Sequence, residues 1–280
     1  MKKASLLLIL IFLLTQLLGL YLGSEYVKML NARLVQPVFS DPESIQNSIY
    51  LFTAIPIVTA FIILVIKFRE EFFRVIELSV IFFCSWITFD LLIGTSMFPL
   101  PLGLFLALLL VGWRILRPTI LNQNITLITS ASGVGAVLGA SLGIFPCILL
   151  MVFLSIYDYI SVFITRHMVF IGRKLVRSSS AMVISAPSDL RAFLSSKDLP
   201  PEEVSKRMLH LGGGDIVVPL MFTVSVFSSY GVISSLSVIA SSAGGLALLM
   251  LYLSKRPEVT LPGLPFICSG CLLGFFLSTL

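Results

Sequence analysis

Apolar residues run through this chain in blocks rather than in alternation. Stretches of about 20 residues, the length that crosses the hydrocarbon core of a bilayer, fall at 4–23, 47–66, 75–95, 99–116, 124–144, 146–165, 208–229, 231–253 and 259–279. The pattern predicts an all-α, polytopic membrane protein with nine transmembrane helices. One long polar interruption divides it. Residues 1–165 form a six-helix N-terminal part, 166–207 a loop, and 208–280 a three-helix C-terminal part. The start, Met1-Lys2-Lys3 before a Leu-rich run, imitates a secretory signal. The apolar run from Ala4 to Leu22 is longer than a signal core and has no small-x-small cleavage site after it, so a retained first helix is expected.

Composition agrees with a lipid solvent. The chain is 57% hydrophobic and 12% charged, with a mean hydropathy of +1.04, about half the charge of an ordinary soluble domain. The net charge of +5 raises the question of nucleic acid, and the placement of the basic residues answers it. With the N-terminus on one side, that side collects Lys2, Lys3, Lys67, Arg69, Arg74, Arg114 and Arg117, then the basic residues between Arg166 and Arg207, then Lys255 and Arg256. The other side holds Lys28 and Arg33. By the positive-inside rule the N-terminus is cytoplasmic and the C-terminus outside. The partner implied is the bilayer, not nucleic acid. Within the 166–207 loop, Met168 to Arg177 reads as a basic interfacial stretch. A Ser-rich patch at 178–180 follows, then a short helix after Ser188 and another helix start at Pro200-Pro201-Glu202-Glu203.

Ionisable groups inside spans are costly and therefore informative. Asp90, Asp158 and Asp215 lie within the predicted spans. Asp158 stands eight residues before Arg166 and Asp215 eight residues after Arg207. At 1.5 Å per residue both sit roughly 12 Å in from one boundary. Two facing carboxylates in a low-dielectric site tend to share a proton. Such a pair supplies a base to activate water and an acid to protonate a leaving amide nitrogen. The same pair would also serve a proton- or ion-coupled transporter, and depth alone does not choose between the two.

The local sequences do discriminate. Asp158 follows Tyr157, Asp215 closes Gly212-Gly213-Gly214-Asp215, and Pro262-Gly263-Leu264-Pro265 opens the last span. In order and spacing this resembles the presenilin and signal-peptide-peptidase family of intramembrane aspartyl proteases, whose signatures are Tyr-Asp, Gly-x-Gly-Asp and Pro-Ala-Leu. Gly263 departs from the family's Ala, and the long loops of eukaryotic presenilins are missing, so the chain resembles a compact archaeal presenilin homologue. Its N-terminus-in orientation matches presenilin. The resemblance implies that Asp158 and Asp215 are catalytic, without metal or organic cofactor. It further implies that the substrates are transmembrane segments of other proteins and that the enzyme sits in a prokaryotic cell membrane. It names no accessory subunit. On physical grounds the glycines before Asp215 and the prolines at 262 and 265 loosen backbone, so the segments before Asp215 and around Leu264 are expected to pair with an unwound substrate strand. Tyr157 is expected to orient Asp158. A prepilin-peptidase-like enzyme also uses Gly-x-Gly-Asp, but the helix count and the Pro-Gly-Leu-Pro speak against it.

Other signals carry less. Gly139-Ala140-Ser141-Leu142-Gly143 matches a nucleophile elbow, which needs a strand-turn-helix setting. Gly135, Gly139 and Gly143 read better as a small-residue ridge for close helix packing. Asn124-Ile125-Thr126 matches a glycosylation sequon but sits at a cytoplasmic helix end. Cys84, Cys147, Cys268 and Cys271 read as small buried hydrophobes. His167 and His210 read as solvated or interfacial, Asp90 as structural, and Gln16 as making an interhelical hydrogen bond.

Overall fold

A computed structural model of the chain describes residues 2–68, 70–94, 101–165, 172, 175, 180–187, 208–255 and 261–279. Its elements are α1 (Lys2–Asn31), α2 (Ile45–Phe68), α3 (Glu70–Ile93), α4 (Leu102–Leu116), α5 (Ile120–Ala140) and α6 (Ile144–Tyr159), which runs into a π turn (Ile160–Ile164). Strands β1 (Val183–Pro187) and β2 (Met208–Gly212) follow, then α7 (Gly214–Lys255) and α8 (Leu264–Thr279). Among the described residues, five helical segments are long and apolar enough to cross a membrane: α1, α2, α3, α6 with its π turn, and α7. Helices α4 and α8 are apolar but shorter, at 15 and 16 residues.

The fold is all-α in class, mostly helical as expected, with one two-stranded antiparallel sheet of β1 and β2 added. One expectation is corrected. The span expected from residue 208 begins as strand, and its helix starts at Gly214. Three successive glycines (212–214) carry a high helix cost, so helix does not propagate back into the apolar Met208–Leu211. The expected break between 208–229 and 231–253 coincides with a kink at Gly231, whose φ of 79° and ψ of −169° are non-helical and suit only glycine, so α7 consists of two helical arms. The α5–α6 joint falls at 141–143, so Pro146 sits in the first turn of α6, where a missing amide costs little. The interfacial stretch from Met168, the helix starts after Ser188 and at Pro200, and His167 lie outside the described residues.

The first arm of α7 is the core of the molecule. Ile216, Leu220, Phe222, Val224 and Val226 are all fully buried. Helix α1 opposes Leu220 with Gly19 and Val224 with Gly23, while α5 opposes Leu220 with Gly135 and both Met221 and Val224 with Gly139. Lipid gives no hydrophobic drive for one apolar helix to prefer another, so close approach over small residues supplies the contact energy. Gly143 does not continue the ridge: it lies in the turn after α5, against the Glu43 carboxylate. The second arm of α7 packs on α8 in the same manner, Gly245 against the backbone of Phe266 and Gly270 and Gly274 against Ser241. Asp90 packs against Gly103 of α4 and is bonded by the Trp86 side chain, a structural setting.

Candidate active site

Asp158 occupies the last turn of α6, just before the π turn, where Ser161 Oγ donates to the Asp158 carbonyl at 2.9 Å. Single π turns often mark functional positions in helices. The Asp158 carboxylate faces the start of α8. Leu264 N donates to its Oδ2 at 3.2 Å, and the Gly263 amide bonds the same carboxylate. The first amides of a helix have no partner within it, and Pro262 and Pro265 contribute none, so residues 263 and 264 present the α8 donors to Asp158.

Asp215 enters from the opposite side, in the first turn of α7. The Gly212 backbone bonds its carboxylate. Gly263 lies directly against it: a methyl group there would stand 2.9 Å from Oδ2 and 3.0 Å from Cγ of Asp215. The Pro262–Leu264 turn is therefore wedged between the two aspartates, and the two carboxylates act on each other electrostatically. Both aspartates are half-buried while Ile216, Pro262, Gly263 and Leu264 around them are buried. Behind Asp215, Gln16 of α1 is fully buried and donates through Nε2 to the Ile216 carbonyl at 3.0 Å, the interhelical bond expected of it. Pro219 removes the amide that would otherwise bond the Asp215 carbonyl.

The expected site residues thus gather unequally. Asp158, Asp215, Gly212, Gly263 and Leu264 converge. A Cβ on Gly213 would meet Leu127 and the Met182 carbonyl, each at 3.2 Å, whereas one on Gly214 would meet open space. Tyr157 is half-buried next to Asp158 in sequence, and Pro265 begins α8 without facing either carboxylate through an amide.

The small sheet leads into Asp215. Its register pairs Val183 with Gly212, Ile184 with Leu211, Ser185 with His210, Ala186 with Leu209 and Pro187 with Met208, and Gly213 N extends it to the Met182 carbonyl at 2.9 Å. The sequence reading missed what holds this sheet. Glu77 of α3 is buried and accepts from Ser180 Oγ at 2.8 Å and Ala181 N at 2.5 Å, with Arg114 of α4 as its charge partner. Gln123 and Asn124 of α5 bond β1 directly. The only available signal was three consecutive amide side chains, Asn122 to Asn124, at the head of an apolar helix. His210, read as solvated or interfacial, is half-buried in β2. Its Nδ1 lies 3.0 Å from Ser185 Oγ, its Nε2 is buried without a partner among the described residues, and burial pushes its pKa down to about 4, so the ring is neutral at pH 7. The Gly139–Gly143 pattern carries no nucleophile: buried Ser141 Oγ accepts from Val38 N at 3.1 Å and serves the turn. Cys147, Cys268 and Cys271 are free and buried, as read, while Cys84 is half-buried.

A helical membrane core with two mutually coupled aspartates, each reached by the same Gly-Leu turn, has the architecture of an intramembrane aspartyl protease. Residues 9–280 match the family model described as signal-peptide peptidase, presenilin aspartyl protease, and the chain belongs to that family. It is similar in fold to two solved structures of a presenilin family intramembrane aspartate protease. One, in space group C222, has a TM-score of 0.66 at 20% identity over 96% of this chain and 94% of that one. The other, in space group P2, has the same score and identity over 97% and 95%. No curated relative matches the chain. The protein is an integral membrane protease of the aspartyl type.

Proposed function

We propose that Asp158 and Asp215 are the catalytic pair, hydrolysing peptide bonds within or next to transmembrane segments of other membrane proteins. The observation that carries this is the convergence of both carboxylates on Gly263 and Leu264. One carboxylate takes a proton from water as its oxygen attacks the scissile carbonyl carbon. The other donates a proton to the amide nitrogen as the C–N bond of the tetrahedral intermediate breaks. The roles belong to the pair and not to either residue. Gly212 and the amides at 263 and 264 hold the carboxylates, with Pro262 and Pro265 shaping the turn, Gly213 and Gly214 allowing the strand-to-helix change, and Tyr157 steadying the end of α6.

The substrate reaches the pair as an extended strand. In the β1–β2 register, residues 209 and 211 of β2 turn their main-chain groups toward β1, leaving those of 208, 210 and 212 directed to the outer edge. An unwound substrate adds there by main-chain hydrogen bonding. Extended backbone at membrane depth requires such protein partners.

The proposed topology has nine spans: α1 to α6, one from each arm of α7 on either side of Gly231, and α8. The N-terminus is cytoplasmic and the C-terminus outside, in the cell membrane of a prokaryote. Residues 1–165 carry Asp158, 166–207 form a cytoplasmic loop, and 208–280 carry Asp215 and the Pro-Gly-Leu-Pro. The reading is tested by cleavage of a single-span reporter by purified enzyme in bilayers, with Asp158→Asn and Asp215→Asn as comparators. Loss of cleavage in each variant supports it. Proton flux without cleavage by the wild type would favour an ion-coupled transporter.

A further inference from the structure

An antiparallel strand turns the main-chain groups of alternate residues to alternate edges. The bond from Gly213 N to the Met182 carbonyl fixes the phase, so residues 182, 184 and 186 face β2 while 183, 185 and 187 face away from it. The away-facing groups of Val183 and Ser185 are met by side chains of α5. Gln123 Nε2 donates to the Val183 carbonyl at 2.6 Å. Asn124 donates through Nδ2 to the Ser185 carbonyl at 2.8 Å and accepts through Oδ1 from Ser185 N at 2.9 Å. Asn124 therefore offers one donor and one acceptor to a single residue, as a neighbouring strand would. Gln123 Nε2 also reaches Ser185 Oγ at 3.1 Å, which in turn faces His210 of β2. Gln123, Asn124 and Ser185 are at most 4% exposed. Buried amides are costly unless bonded, and these two find their partners on β1.

We propose that Gln123 and Asn124 are positioning residues for proteolysis. Together they act as a side-chain third strand that closes the outer edge of β1 and fixes the sheet at one register on α5. Among the described residues the sheet then has a single open edge, on β2, and an added substrate strand presents one peptide bond to Asp215. This rests on the reading that substrate adds to β2.

The test uses the full-length enzyme in bilayers with a single-span reporter, and the masses of the products locate each cut. Two variants are compared with wild type: Asn124→Ala, and Gln123→Met, which keeps side-chain length and removes the donor. The proposal expects turnover to fall about tenfold and the cuts to spread over several neighbouring bonds. A merely structural role lowers the amount of active enzyme without moving the cut. If Asn124→Ala does not accumulate as folded protein, Gln123→Met carries the same readout. Cuts by both folded variants at the wild-type bonds in wild-type proportions would overturn the proposal while leaving the aspartate pair intact. Cleavage that persists in Asp158→Asn and Asp215→Asn would instead strike the underlying reading.

Discussion

The two flanks of Asp215 are held by different physics. On its C-terminal side, the first arm of α7 is fixed by shape, with Leu220 and Val224 seated over glycines of α1 and α5. On its N-terminal side, the β1–β2 sheet is fixed by polarity, through Glu77, Gln123, Asn124 and Ser185. A helix satisfies its own backbone and asks its neighbours only for close approach, whereas a strand inside a membrane protein leaves one edge to be satisfied by someone else. The contrast has a functional side. The locked helix keeps Asp215 in place, and among the described residues the bonded sheet leaves one edge, that of β2, for the proposed substrate strand.

Breaking the shape-held flank has the largest expected effect. Gly139→Val would drive a side chain into the Met221 backbone and Val224. Overpacking of this kind costs about 1–3 kcal/mol or more, and thermal unfolding in detergent should show a clear loss of folded protein. The polar flank is sharpened by pH. Burial lowers the His210 pKa from its ordinary 6.5 to about 4, so between those values the unfolded segment binds the proton that the folded sheet refuses. Sheet stability should be fully present above pH 6.5 and decline as pH falls toward 4. Amide exchange over 208–212 would follow it, and His210→Gln would flatten the dependence.

Gln16→Leu removes a polar bond that α1 makes to the start of α7. Interhelical hydrogen bonds in membranes average about 0.6 kcal/mol, so a melting shift of a few degrees at most is expected, with activity reduced a few-fold. The smallest effect belongs to Gly263→Ala. Its methyl would press the Asp215 carboxylate, a movable side-chain end, from 2.9 Å. The expected outcome is a roughly two- to threefold change in kcat with KM held, read by steady-state cleavage; as an energy this is below about 1 kcal/mol.

What was legible in the sequence follows the same divide. Shape-based features have local signatures: apolar runs announce spans, Gly135 and Gly139 announce a packing face, and Gly212–Asp215 with Pro262–Pro265 announces the site. The sheet had none. Met208–Leu211 is apolar enough to pass for the first turn of a span, and hydropathy does not distinguish helix from strand over five residues. Gln123 and Asn124 bond residues about sixty positions away, a relation that exists only after folding. Glu77 stood just inside the edge of its expected span, beside Arg74, where a carboxylate passes for a solvated interfacial charge, and its partners Ser180 and Ala181 lie over a hundred residues on.

The central claim is that Asp158 and Asp215 act as one catalytic unit. The most direct measurement is cleavage of a single-span reporter in bilayers by wild type, Asp158→Asn, Asp215→Asn and the double variant. Groups that act together are strongly non-additive. Each single variant should therefore lose at least about a thousandfold in turnover, and the double variant should be no worse than either. Cleavage surviving in either single variant, or losses that simply multiply in the double, would contradict the account.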